Sequence, residues 1–94
     1  HMRQLSEACA AGRMEDVKAI LASHPYLLNG RQAHPKRQTA MMVAAKAGQL
    51  EVVRLLEEKG GLVELRDDDE ATALMLAAAG GHVEVRLLLS DDMS

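Results

Sequence analysis

Val52, Val53, Leu55 and Leu56 stand at helical spacing in a stretch whose remaining positions are mostly charged, which predicts a helix from Leu50 to about Lys59. Before it, Thr39 is a good N-cap for a helix over Ala40–Ala47, and Gly48 is placed to end it. After it, Gly60 and Gly61 stop the second helix. Leu62–Leu65 reads as a short extended piece, and Arg66-Asp67-Asp68-Asp69-Glu70 as a polar turn leading to Thr72. The predicted order is helix, turn, helix, then an exposed hairpin-like loop.

That order repeats. Residues 39–52 return as residues 72–85, a shift of 33, with eight of the fourteen aligned positions identical and three more exchanging one aliphatic residue or Met for another. A fixed period of this length implies units that bury their apolar faces only by stacking on their neighbours. Function then lies along an extended surface. A first unit aligns at an offset of 36: Ala8, Gly12 and Glu15 fall on Ala44, Gly48 and Glu51, and Val17, Lys18 and Ile20 on Val53, Arg54 and Leu56. Arg3 occupies the threonine position, and polar Ser6 and Glu7 replace Met42 and Val43. A terminal unit needs a polar outer face, so Glu7 argues for an amino-terminal cap. The third unit lacks one valine after Val85. Read without a gap (the favoured alternative), Val85, Leu88 and Leu89 keep the stripe of Val52, Leu55 and Leu56, at the cost of Arg86 in an apolar slot and Leu87 in a polar one. Read with a gap, the helix after Val85 turns by about 100°. Leu87, Leu88 and Leu89 then lack a following unit, and Asp91–Ser94 offers no convincing cap.

Composition narrows the core. The 94 residues are 48% hydrophobic, yet Tyr26 is the sole aromatic, so Ala, Leu, Val and Met must fill the interior of closely approaching helices. One small domain follows, with His1-Met2 resembling a cloning remnant and units over 3–33, 34–66 and 67–94. A net charge of −3 gives no bulk attraction to nucleic acid or anionic membranes. The apolar runs fall far short of the roughly 20 residues a membrane span needs, and no signal-peptide pattern opens the chain. The lone cysteine, Cys9, excludes an internal disulfide and sits among alanines, as a small buried hydrophobe rather than a reactive thiol. An intracellular address follows, cytoplasmic rather than nuclear.

These residues resemble the ankyrin repeat. The period is 33, Thr-Ala-(Met/Leu)-Met-(Val/Leu)-Ala-Ala stands for the usual Thr-Pro-Leu-His-Leu-Ala-Ala, and Gly-(Gln/His)-(Leu/Val)-Glu-Val follows. Leu21–Asn29 is similar to the His-Pro-x-Leu-Val-Asn exit of the second helix. The resemblance implies an all-α solenoid of about three helix-turn-helix units with finger loops. It departs in places: Ala40 and Ala73 replace proline, Met42 and Met75 replace the histidine that ties loops together, and Arg37 and Glu70 stand at the finger glycine. Less regular fingers and lower stability are expected from those losses. The resemblance implies protein binding through finger tips and inner-helix ends, positions that fall here on Lys36, Gln38, Lys46, Ala47, Asp68, Asp69, Ala71 and Ala79. It implies no catalysis and no cofactor.

The residues agree with a binding role. Ser6 and Ser23 have no base–orienter pair of the triad kind. Asp67–Glu70 lacks the alternating spacing of a calcium loop and reads as a solvated turn. Cys9, His24 and His34 fit no zinc pattern, and Gly80-Gly81 suits a helix cap rather than a phosphate cradle. The first finger, Arg31–Gln38, is basic, and the second, Glu64–Glu70, holds five acids against Arg66. They form ordinary solvated loops, a bipolar binding edge, or a basic finger meeting the acidic finger of another molecule. Nucleic-acid binding by Arg31, Lys36 and Arg37 lacks aromatic interleaving. The leading expectation is recognition of a protein or peptide partner. The alternative is a homo-oligomer or part of a longer array, associating through Leu87, Leu88 and Leu89.

Overall fold

Thr39 and Thr72 begin equivalent helices by the same device. Each sits in extended backbone, and its Oγ1 accepts a hydrogen bond from the N–H three residues on, Met42 and Met75 respectively, at 3.3 Å in both cases. The computed structural model describes residues 1–31 and 36–90. Its helices are α1 (Met2–Ala11), α2 (Met14–Ser23), α3 (Ala40–Ala47), α4 (Leu50–Glu58), α5 (Ala73–Ala79) and α6 (Val83–Ser90), with a 3-10 turn at Pro25–Leu27. Among the described residues the only β pairing is a single antiparallel bridge between Arg31 and Thr39, and the segment expected to be extended, Leu62–Leu65, is broken by a turn at Val63 and Glu64. The all-α solenoid of three stacked pairs is as expected. Helices α1, α3 and α5 form an inner row, α3 packing on both of the others, and α2, α4 and α6 lie behind them.

The turn within each pair closes the same way. Gly12, Gly48 and Gly81 all adopt φ 76°. At each, the glycine N–H and the one after it return to carbonyls of the helix just ended: Gly48 to Ala45 at 3.1 Å and Gln49 to Ala44 at 3.0 Å, for example. A second reason for glycine holds at the first two. A Cβ at Gly12 would stand 2.5 Å from the Gln49 side chain, and one at Gly48 2.5 Å from the His82 ring. Those neighbours tie the stack together. Gln49 Nε2 donates to the Ala10 carbonyl and His82 Nε2 to the Lys46 carbonyl, each at 2.9 Å. A carbonyl can only accept, so the His82 proton resides on Nε2.

The middle unit buries one face against the unit before it and another against the unit after. Met41, Met42, Ala45 and Val53 are buried, as are their counterparts Leu5, Ser6, Cys9 and Val17 in the first unit. Ser6 therefore does not belong to a polar outer face: it occupies the slot of Met42, turned toward the next unit, and its Oγ is buried without a hydrogen-bond partner. The opposite face of the first unit does carry the polar finish. Gln4, Glu7 and Asp16 are exposed where the second unit has Ala40, Val43 and Val52, and Glu7 pairs with Arg3 at 3.4 Å. In the last helix Val85 and Leu89 are buried, Leu88 is half-buried, and Arg86 and Leu87 are exposed, which is the ungapped register. Residues 91–94 lie outside the described residues.

Candidate protein-interaction surface

The two finger loops meet each other inside one chain. Lys36 Nζ lies 2.7 Å from Asp69 Oδ2, Arg37 Nε donates to Asp68 Oδ1 at 2.9 Å, and Gln38 Nε2 donates to Asp67 Oδ2 at 3.0 Å. The three contacts run in opposite chain directions, and Asp68 N–H adds a backbone bond to the Lys36 carbonyl at 3.0 Å. Arg31 reaches the Arg37 carbonyl at 3.2 Å and also donates to the carbonyl of Arg66. Gln32, Ala33, His34 and Pro35 of the first finger lie outside the described residues, and with His34 lies the third member of the candidate metal set. The basic finger is thus met by the acidic finger of its own chain. Arg31, Lys36 and Arg37 are engaged by carbonyls and carboxylates rather than arrayed as an open patch for phosphates.

Asp67 anchors this junction, and the solvated-turn reading fails for it. Its side chain is buried, and Oδ1 accepts from Asp69 N at 2.8 Å and Ala71 N at 3.0 Å, an Asx-type turn. The Gln38 amide, those two N–H donors and nearby Lys36 hold the Asp67 carboxyl below its ordinary range. Lys36 titrates higher than usual, chiefly through its hydrogen bond and charge contact with Asp69. Asp68, Asp69 and Glu70 remain exposed, as the solvated reading expected.

The residues at the finger-glycine positions take up the backbone that glycine would have supplied. Arg37 at φ 51° and Glu70 at φ 65° hold the left-handed backbone that glycine would adopt freely. That conformation costs a side chain about 1–2 kcal/mol. For Arg37 the opposing gain is its contact with Asp68 across the fingers. The lost loop histidine is partly replaced as well: Met42 Sδ accepts from Thr39 N at 3.4 Å, a weak bond to sulfur.

Each expected contact position lies on a finger or near the end of an inner-row helix. Lys36, Asp68 and Asp69 are exposed on the fingers, Gln38 and Ala71 are half-buried at their bases, and Lys46, Ala47 and Ala79 are exposed at the far ends of α3 and α5. An eight-residue helix such as α3 is roughly 12 Å long, so fingers and helix ends frame a surface of about that height. The tie from His82 takes the Lys46 carbonyl and leaves its side chain outward. Sequence reasoning missed Asp67, Gln49 and His82 as organising residues. Gln49 and His82 share one repeat position, and an Asp opening a turn can accept from the backbone N–H two residues on.

The run Leu87–Leu89 divides. Leu87 is 54% exposed, Leu88 half-buried and Leu89 buried in the core, so Leu89 is not available for self-association. Cys9 is fully buried, and burial pushes its thiol up to about 12. Among the described residues no group of three His, Cys, Asp or Glu could hold a metal ion, and no helix is long and apolar enough to cross a membrane.

Residues 5–94 match the family described as ankyrin repeats (3 copies). A chain of the solved complex of the predatory endopeptidase Bd0816 from Bdellovibrio bacteriovorus with immunity protein Bd3460 has a similar fold, with a TM-score of 0.86 and 28% identity. The match covers 94% of this chain and 45% of that one, so this chain spans less than half the length of its neighbour.

Proposed function

The chain belongs to the ankyrin-repeat family, and on that premise we propose that it recognises a protein or peptide partner through its fingers and inner helices, without catalysis. Ankyrin repeats are generally protein-interaction modules, and the similar solved chain comes from an assembly of two proteins. The observation that carries the reading is the junction of Lys36, Arg37 and Gln38 with Asp69, Asp68 and Asp67. It fixes two fingers as one edge before any partner arrives. Binding to an ordered edge avoids the entropy that free loops would lose. At the far ends of α3 and α5, Lys46, Ala47 and Ala79 offer a shallow face of small side chains around one cation. Small exposed residues let a partner's backbone or helix come close. Lys46 would select for a carboxylate there and chiefly tune the rate of encounter.

The reading is tested by capturing partners with the full chain, identifying them by mass spectrometry, and repeating the capture with Lys46→Glu and Ala79→Arg. Both positions are exposed, so circular dichroism should be unchanged while the specific partner is lost. Undiminished capture by both variants would remove the inner-helix face from the binding site.

A further inference from the structure

The first and second units leave their outer helices by different exits, and the difference opens a notch between them. α2 ends at Ser23 because Pro25 bars a further turn. Pro25 has no N–H to give the Leu21 carbonyl four residues back, and it forces His24 out of helical backbone, to φ −135° and ψ 66°. The chain then makes the 3-10 turn Pro25–Leu27. α4 instead runs into Lys59, whose N–H closes on the Leu55 carbonyl at 3.1 Å, and passes straight to Gly60 and Gly61. The additional turn matches the first unit's offset of 36 where the second has 33. It sends Leu27 into the core, leaves Leu28 half-buried, and leaves Pro25 and Tyr26 exposed, Tyr26 at 70%. Between the two exits lies a notch of about 200 Å³ lined by Leu21, Pro25, Leu28 and Lys59. It separates two adjoining units and is not at either end of the stack.

The walls decide what the notch can hold. A volume of this size takes one large side chain, since a cavity of about 150 Å³ accepts a benzene ring. Three walls are apolar. The fourth is Lys59, exposed and without an ion pair among the described residues. A carboxylate would suit Lys59 alone, but two helices end here, their C-termini carry partial negative charge, and Glu58 stands alongside. An aliphatic side chain would fill the space and gain nothing from Lys59. An aromatic ring satisfies both: its body buries against Leu21, Pro25 and Leu28, and its electron-rich face attracts the ammonium. We infer that the notch between the ends of α2 and α4 is a docking site for an aromatic side chain of a protein partner, tryptophan above all. Indole is the strongest ring for a cation, and its N–H can donate to the Leu21 carbonyl that Pro25 leaves without its helical donor. Such rings are common anchors of protein interfaces.

The probe is the neutral peptide acetyl-Gly-Ser-Trp-Ser-Gly-amide, titrated into the full chain. The chain has no Trp, so the fluorescence is the probe's own. Saturable binding with a blue shift is expected, and ring-current shifts should centre on Leu21, Leu28 and Lys59. Lys59→Met should weaken binding roughly two- to fivefold, the scale of an exposed cation–π contact, with circular dichroism unchanged. The same peptide with cyclohexylalanine in place of Trp should bind more weakly and be indifferent to Lys59→Met. The inference is overturned by no saturable binding, by equal affinity for the two peptides, by indifference of the Trp peptide to Lys59→Met, or by tighter binding of a peptide with Asp in place of Trp. It is equally overturned if sedimentation shows the chain alone to be a dimer that Tyr26→Ser dissolves, since a second copy's ring would then fill the notch. The site lies on the outer helices, apart from Lys46 and Ala79. The Lys46→Glu chain should bind the peptide normally, so failure here and failure at the inner-helix surface are distinguishable.

Discussion

Lys36 and Asp69 occupy the same position of successive repeats, 33 residues apart, and their side chains meet at 2.7 Å. The finger residues of opposite charge that suggested contact between molecules are joined within one. The basic finger therefore holds its neighbour in place, and what the stack offers a partner is a paired edge rather than two loose charged loops. Exposed ion pairs are individually weak. Here two of them act with the Gln38–Asp67 bond and the Asp68–Lys36 backbone bond, so the junction is a network.

Gly48 and Gly81 share φ 76°, yet a side chain at Gly48 would run into His82 while one at Gly81 would meet open space. Gly81→Ala should cost the left-handed penalty alone, about 1–2 kcal/mol. Gly48→Ala should cost distinctly more, because the His82–Lys46 tie must also give way. Urea unfolding of the two variants reads the difference directly, and equal losses would remove His82 as a tie between units.

Asp67 makes stability sensitive to acid. Its folded carboxyl titrates below the ordinary value of 3.8, so its contribution is complete above that value and is lost as pH falls through the lower folded value. Unfolding free energy measured between pH 7 and pH 2 should fall in that acid window. Asp67→Asn should lower stability at neutral pH and flatten the acid limb, since its side chain no longer exchanges a proton.

Cys9 lies inside α1, and its thiol is pushed up to about 12 by burial. A thiolate reagent at pH 7–8 should leave the native chain unlabelled and modify one thiol per chain in denaturant. Rapid labelling of the native chain would show that the contact between α1 and α3 opens readily.

Much of the fold was legible because the repeat encodes it locally. Thr39, Gly48 and the Val52–Leu56 stripe place a cap, a turn and a buried face without reference to anything distant. The ungapped register of α6 followed from the same stripe. The finger junction was not legible, because it depends on where a loop at residue 36 meets a loop at residue 69 in space. Charge asymmetry announced that the fingers were complementary but left open which molecule supplied each half. Asp67 looked like one acid among several, and only Gln38 and its backbone partners set it apart.

The most direct measurement is a double-mutant cycle on Lys36 and Asp69, with thermal unfolding and sedimentation recorded for each variant. Lys36→Asp places a carboxylate beside Asp67 and Asp69, and Asp69→Lys places a cation beside Lys36, so each alone should lower the midpoint. The exchanged pair should recover most of the loss, with every variant monomeric. No recovery in the exchanged pair, or recovery that appears only with dimer formation at high concentration, would contradict a junction formed within the chain.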